Sequence, residues 1–135
     1  MPKNAEADLE QLIEQDSRYK KAAYLFVFEA LHHTMQKQAQ PGTPDKKRHI
    51  SGGDLLRGIS ELGLDQFGPL TRSVFAHWGV HKTQDFGQIV FNMVAIELMS
   101  KREEDRLEDF ADVYDFAEEF DWKKRKTAFR KQTAS

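Results

Sequence analysis

The chain has 135 residues, 39% of them apolar and 31% charged, with a formal net charge of −2. That length bounds it to one ordinary core, and so small a net charge does not imply a polyanionic partner for the whole body. Cysteine is absent, which excludes disulfides, thiolate metal sites and thiol nucleophiles.

The opening run MPKNAEADLEQLIEQD is acidic and has no apolar stretch of the secretory kind. Leu9, Leu12 and Ile13 fit a short amphipathic helix, so residues 1–18 are expected to form an N-terminal helical segment. Asp16 or Ser17 then caps a second helix, from Tyr19 to about Lys37, free of Gly and Pro. Its stretch AAYLFVFEAL is apolar almost all round, the pattern of the central rod of a small bundle. Gln38 to Arg48, QAQPGTPDKKR, reads as an exposed loop inside a single helical domain spanning residues 19–122.

Ser51 followed by Asp54 resembles a capping box that starts a third helix, with Leu55, Leu56, Ile59 and Leu62 on its apolar face. Gly63 suits the left-handed position after that helix's last turn. Gly68-Pro69 opens a fourth, with Leu70, Val74, Phe75 and Trp78 facing inward and Gly79 as its stop. Thr83 begins a fifth, with Asp85 in its first turn and Phe86, Ile89, Val90, Met93 and Val94 as its core stripe, placed to pack on the YLFVF helix. This longest apolar stretch, Phe86 to Met99, is short for a membrane span and contains Gln88, Asn92 and Glu97. After Met99 the spacing of Phe110, Val113, Tyr114, Phe116, Phe120 and Trp122 fits neither helix nor strand throughout. The expected architecture is therefore mainly α: a compact bundle of about five helices with an irregular or short β-containing acidic C-terminal arm. Residues 123–135 form a basic tail, poor in core-forming side chains and expected to be disordered.

The successive blocks YLFVFEAL, HISGGDLLRGI, FGPLTRSVFAHWGV, TQDFGQIVFNMV, LMSKREEDRLEDF and DVYDF resemble a family of short uncharacterised proteins found mainly in planctomycete and verrucomicrobial bacteria. The resemblance covers about Tyr19 to Phe120 and stops short of the basic tail. It implies a stand-alone domain and carries over no mechanism.

Few groups are arranged for chemistry. The ISGGD stretch offers free amides at a helix start, but it lacks the lysine and spacing of a phosphate loop. Glu29 and His32 form half of a di-iron carboxylate motif, and no second Glu-x-x-His exists to complete it. His77, His81 and Asp85 recur every four residues, the spacing of a weak zinc candidate, but Gly79 interrupts the helix such a triad needs. Asp105, Glu108 and Asp109 can hold Mg²⁺ only loosely, without a defined cage. A catalytic reading requires His49, Asp54, His77, His81 and Asp85 to converge. No catalytic residue, metal or cofactor is assigned.

Two interaction readings remain. Ten carboxylates and one arginine lie between Glu103 and Asp121, interleaved with aromatics that dock either on the chain's own body or on a partner protein. The favoured function is a non-enzymatic, cytoplasmic protein-interaction module using Asp109, Phe110, Asp112, Tyr114, Asp115, Phe116 and Phe120, with no membrane partner. The alternative is a nucleic-acid- or ribosome-associated helix-turn-helix-like protein. It would use Arg72 on the fourth helix and Lys123, Lys124, Arg125, Lys126, Arg130 and Lys131 of the tail. A third possibility for those basic residues is that they fold back on the acidic arm beside them.

Overall fold

A computed structural model describes residues 5–38 and 50–124. Five helices form the body: α1 (Ala5–Gln15), α2 (Lys21–Gln38), α3 (Gly52–Phe67), α4 (Thr71–His77) and α5 (Thr83–Ala95). A 3-10 turn, Gly68–Leu70, joins α3 to α4. The arm beyond α5 carries a second 3-10 turn, Leu107–Phe110, and a single helical turn, α6 (Phe116–Glu119). No strand occurs among the described residues, so the arm is irregular without a β element there. No helix among them is long and apolar enough to cross a membrane.

The central rod is α2, which packs on α1, α3 and α5. Ala23, Tyr24, Phe26, Val27 and Ala30 are buried along it, as an all-round apolar run requires. The helix begins at Lys21, later than Asp16 or Ser17, because those two belong to the turn after α1. There the Asp16 amide donates to the Leu12 carbonyl at 2.8 Å, and the Asp16 carboxylate takes a fork from Arg18 at 2.6 and 2.8 Å.

Small residues set the helix spacing. A Cβ placed on Gly58 of α3 would lie 1.9 Å from the Thr34 hydroxyl of α2, so only glycine allows these rods their approach. Gly63, expected to stop α3, sits within it and is buried against Phe75 and Thr71. The helix continues one turn further because Leu64 and Phe67 still have the core to pack against. Gly68, at φ +53°, provides the stop, its amide donating to the Leu64 carbonyl. Ser51 caps the other end as expected, its hydroxyl accepting from the Asp54 amide at 3.1 Å.

Gly79, at φ +94°, ends α4. A side chain there would meet the Arg18 carbonyl at 2.1 Å, where the α1–α2 turn crosses the α4–α5 turn. The Lys20 amide donates to the Trp78 carbonyl at 3.0 Å across the same crossing.

Aromatic rings fill the interior around Phe75. Its ring centroid lies 5.5 Å from Phe26, 5.7 Å from Trp78, 5.2 Å from Phe86, 6.0 Å from Phe116 and 5.3 Å from Phe120. The body contributes Phe26, Trp78 and Phe86, and the arm contributes Phe116 and Phe120. Each such burial contributes about 1.5–3 kcal/mol of transfer free energy, with edge-to-face contacts adding to it. The arm is therefore a wall of the core.

Candidate functional site: the acidic arm and the cleft beneath it

The arm begins where α5 fails to continue: Glu97 takes φ +63°, and the Leu98 amide folds back to the Met93 carbonyl at 2.9 Å. Phe110 is then seated between two glycines. A Cβ on Gly87 of α5 would stand 2.7 Å from the Phe110 Cβ, and one on Gly52 of α3 would stand 3.0 Å from its ring. Polar clasps flank this seat. The Thr83 hydroxyl donates to the Phe110 carbonyl at 2.6 Å and accepts from the Val113 amide at 3.2 Å. Gln84 donates to Asp112 at 3.1 Å, the Tyr114 hydroxyl donates to the Leu56 carbonyl at 2.8 Å, and the buried Ser60 hydroxyl donates to Glu119.

The acidity of the arm has a local cause. Asp105 accepts from the Arg102 amide, Asp109 from the Arg106 amide, Asp115 from the Glu118 amide, and Asp121 from the Lys123 and Lys124 amides. Each carboxylate closes a turn, which is how a chain with little regular secondary structure satisfies its backbone donors. The carboxylates of the arm outside these turns and clasps, Glu103, Glu104, Glu108 and Glu118, are exposed.

This geometry sorts the expected docking residues into two groups. Phe110, Phe116 and Phe120 are buried and Tyr114 is half-buried, so the aromatic members face the protein's own core. Asp109, Asp112 and Asp115 stay at the surface. Two apolar side chains that sequence reasoning had not singled out for binding stand exposed beside them: Leu107 at 38% and Val113 at 41%. Neither differs in sequence pattern from its buried neighbours, so only the fold of the arm reveals them.

Below the arm lies a cleft of about 370 Å³ between the Leu107–Phe110 turn, the start of α5 and the α1–α2 turn. Tyr19 forms its floor; it is buried, and its hydroxyl donates to Asp85 at 2.8 Å. Burial, followed by that carboxylate, pushes the Tyr19 phenol well above its usual range, so it stays protonated. Arg18 stacks over the Tyr19 ring at 5.3 Å while forked to Asp16, and the guanidinium holds the Asp16 carboxyl down to about 2. Neither Tyr19 nor the second role of Asp85 has a sequence signature, because their partnership spans 66 positions.

The weak metal candidates are placed as follows. His77 is exposed in the last turn of α4, and His81 is exposed in the turn that follows it. The Asp85 carboxylate accepts from the His81 and Lys82 amides at 2.8 and 3.3 Å and from Tyr19, so it caps α5 and anchors the phenol. Gly79 separates the two histidines as expected. No group of three metal-ligating side chains forms among the described residues. His49 lies outside them, and Asp54 is engaged with Ser51 and Arg57. Glu29 accepts from Gln66 at 2.7 Å, and His32 Nδ1 stands 2.9 Å from the Phe28 carbonyl, so this pair looks outward to its own helix and to α3.

Of the nucleic-acid candidates, Arg72 is exposed on α4, and Lys123 and Lys124 are exposed where a helix restarts at Trp122. Lys124 reaches back to Glu118 at 2.9 Å, the fold-back expected of the basic segment, at its first residues. Arg125, Lys126, Arg130 and Lys131 lie outside the described residues. The α3–α4 pair is followed by α5 and not by a hairpin, so among the described residues no wing accompanies it.

Compared with known protein families, curated proteins and solved structures, the chain matches none.

Proposed function

We propose that the protein is a non-enzymatic interaction module whose outer acidic arm docks a basic segment of another protein. The observation that carries this reading is the division of the arm: Phe110, Phe116 and Phe120 are buried in the core while Glu103, Glu104 and Glu108, with Leu107 and Val113, stand exposed. A surface that is anionic with apolar islands attracts cationic partners at long range and excludes water from them at contact. It repels phosphate backbones, which favours a protein partner over a nucleic acid.

The test is fluorescence anisotropy of the full chain with labelled lysine-rich and glutamate-rich peptides and with mixed-sequence DNA at low salt. The expected result is binding of the basic peptide alone, weakening as salt rises and weakened further by Glu103→Lys with Glu104→Lys. These two exposed carboxylates make none of the clasps that hold the arm to the body. Retention of DNA without retention of the basic peptide overturns the proposal.

A further inference from the structure

We infer that the cleft between the Leu107–Phe110 turn and α5 is a socket for a single large apolar side chain flanked by basic residues in the partner's segment. This rests on the interaction reading above and names where the specificity of that contact would lie.

The cleft, at about 370 Å³, falls at the small end of the roughly 300–1,000 Å³ range of ligand-binding pockets. One residue's side chain suits it better than an extended ligand. Its inner surfaces are apolar carbon: the buried Tyr19 ring forms the floor, and Leu107 and Ala111 form the arm-side wall. Leu107 is a large aliphatic side chain left half in water at the mouth, the position from which an incoming apolar group removes most solvent. Across the mouth, the Gln84 side-chain amide donates to Asp112 and that of Gln88 to Asn92, and each carries a second N–H that can pair with the backbone of a bound segment.

Charge decides the class of occupant. Arg18 on the far wall is forked to Asp16, which neutralises it locally. Lys82 sits beside the Asp85 carboxylate that caps its own backbone amide. On the near wall, Glu108 is exposed, its carboxylate makes no hydrogen bond or ion pair among the described residues, and it belongs to the run of ten carboxylates and one arginine. A segment lying over the cleft toward the arm therefore meets anions. The complementary sequence is one leucine or phenylalanine between lysines or arginines.

The experiment measures binding of the full chain to two labelled lysine-rich peptides, one with a central leucine and one with serine in its place. The proteins are wild type, Leu107→Ser and Ala111→Gln, two changes at exposed positions that leave the charge unaltered, with thermal melts confirming that both variants fold as wild type does. Expected is an affinity about tenfold higher for the leucine peptide on wild type, lost in both variants, while the serine peptide binds all three alike, as removal of one interfacial anchor predicts. Amide NMR signals of Gln84 and Gln88 side chains should shift with the leucine peptide alone. Equal binding of both peptides, unaffected by the variants, overturns the socket and leaves the acidic-surface reading standing. Failure of both peptides to bind at low salt removes both readings. Peptide-independent self-association that Leu107→Ser abolishes assigns the cleft to a second copy and also overturns this inference.

Discussion

The Thr83 hydroxyl and the Phe110 carbonyl, 27 positions apart, are hydrogen-bonded at 2.6 Å at the junction of α5 and the arm. Because the same hydroxyl also accepts from the Val113 amide, one buried oxygen satisfies two backbone groups of the arm. Thr83→Val keeps the shape and removes both bonds. The expected cost is about 1–3 kcal/mol, since a buried carbonyl and amide lose their partner. Thr83→Ser should recover most of it. Urea denaturation checks this, and a valine variant as stable as wild type contradicts the arrangement.

Gly87 is expected to tolerate no larger residue. An added Cβ at 2.7 Å from the Phe110 Cβ forces the arm outward, and overpacking of this kind costs about 1–3 kcal/mol. Gly87→Ala combined with Phe110→Gly should be less destabilised than the sum of the single changes, because the Cβ and ring that clash are absent from the pair. Additive losses would show that the two residues do not touch.

Phe75 is the hub of the aromatic interior, in ring contact with both body and arm. Phe75→Ala should lose about 3–5 kcal/mol, the range for deleting a buried aromatic, and so consume much of a small domain's stability. Near-ultraviolet circular dichroism should weaken more than far-ultraviolet, because ring packing is lost before helices are. Phe67, only part-buried beside it, should cost less when changed to alanine.

Asp16 gives the fold an acid-side dependence. Its carboxyl is held at about 2 by Arg18, below the ordinary aspartate value of roughly 3.9. A group whose value is depressed on folding contributes stability above the unfolded value, and that contribution disappears as pH falls through the folded one. Wild type should therefore lose stability relative to Asp16→Asn between about pH 4 and pH 2. The difference should shrink in high salt, since Arg18 is more than half exposed. Melting temperatures across that window decide it, and parallel curves would remove the ion pair from the account.

How much of this was readable beforehand depends on the range over which each device acts. Local punctuation was legible: Ser51 caps α3, Gly79 ends α4, and Asp85 sits in the first turn of α5. Gly63 is not legible in the same way, because in sequence a glycine that stops a helix and one that admits a neighbouring ring such as Phe75 are identical. The arm's apolar spacing fits neither helix nor strand throughout, and the carboxylates that close its turns satisfy backbone donors that strand pairing would otherwise serve. Of the site, the acidic composition was visible. The inward direction of Phe110, Phe116 and Phe120 was not, because it depends on α3 and α5 presenting glycine, Thr83 and Ser60 at matching places.

The arm's place in the core has a consequence for synthesis. A ribosome releases α1 to α5 before Phe116 and Phe120, so the growing polypeptide exposes an unfinished aromatic face around Phe75 until those rings emerge. Native packing must then be a late event, and a stalled or truncated nascent chain ending near residue 100 presents that oily face to chaperones or to aggregation.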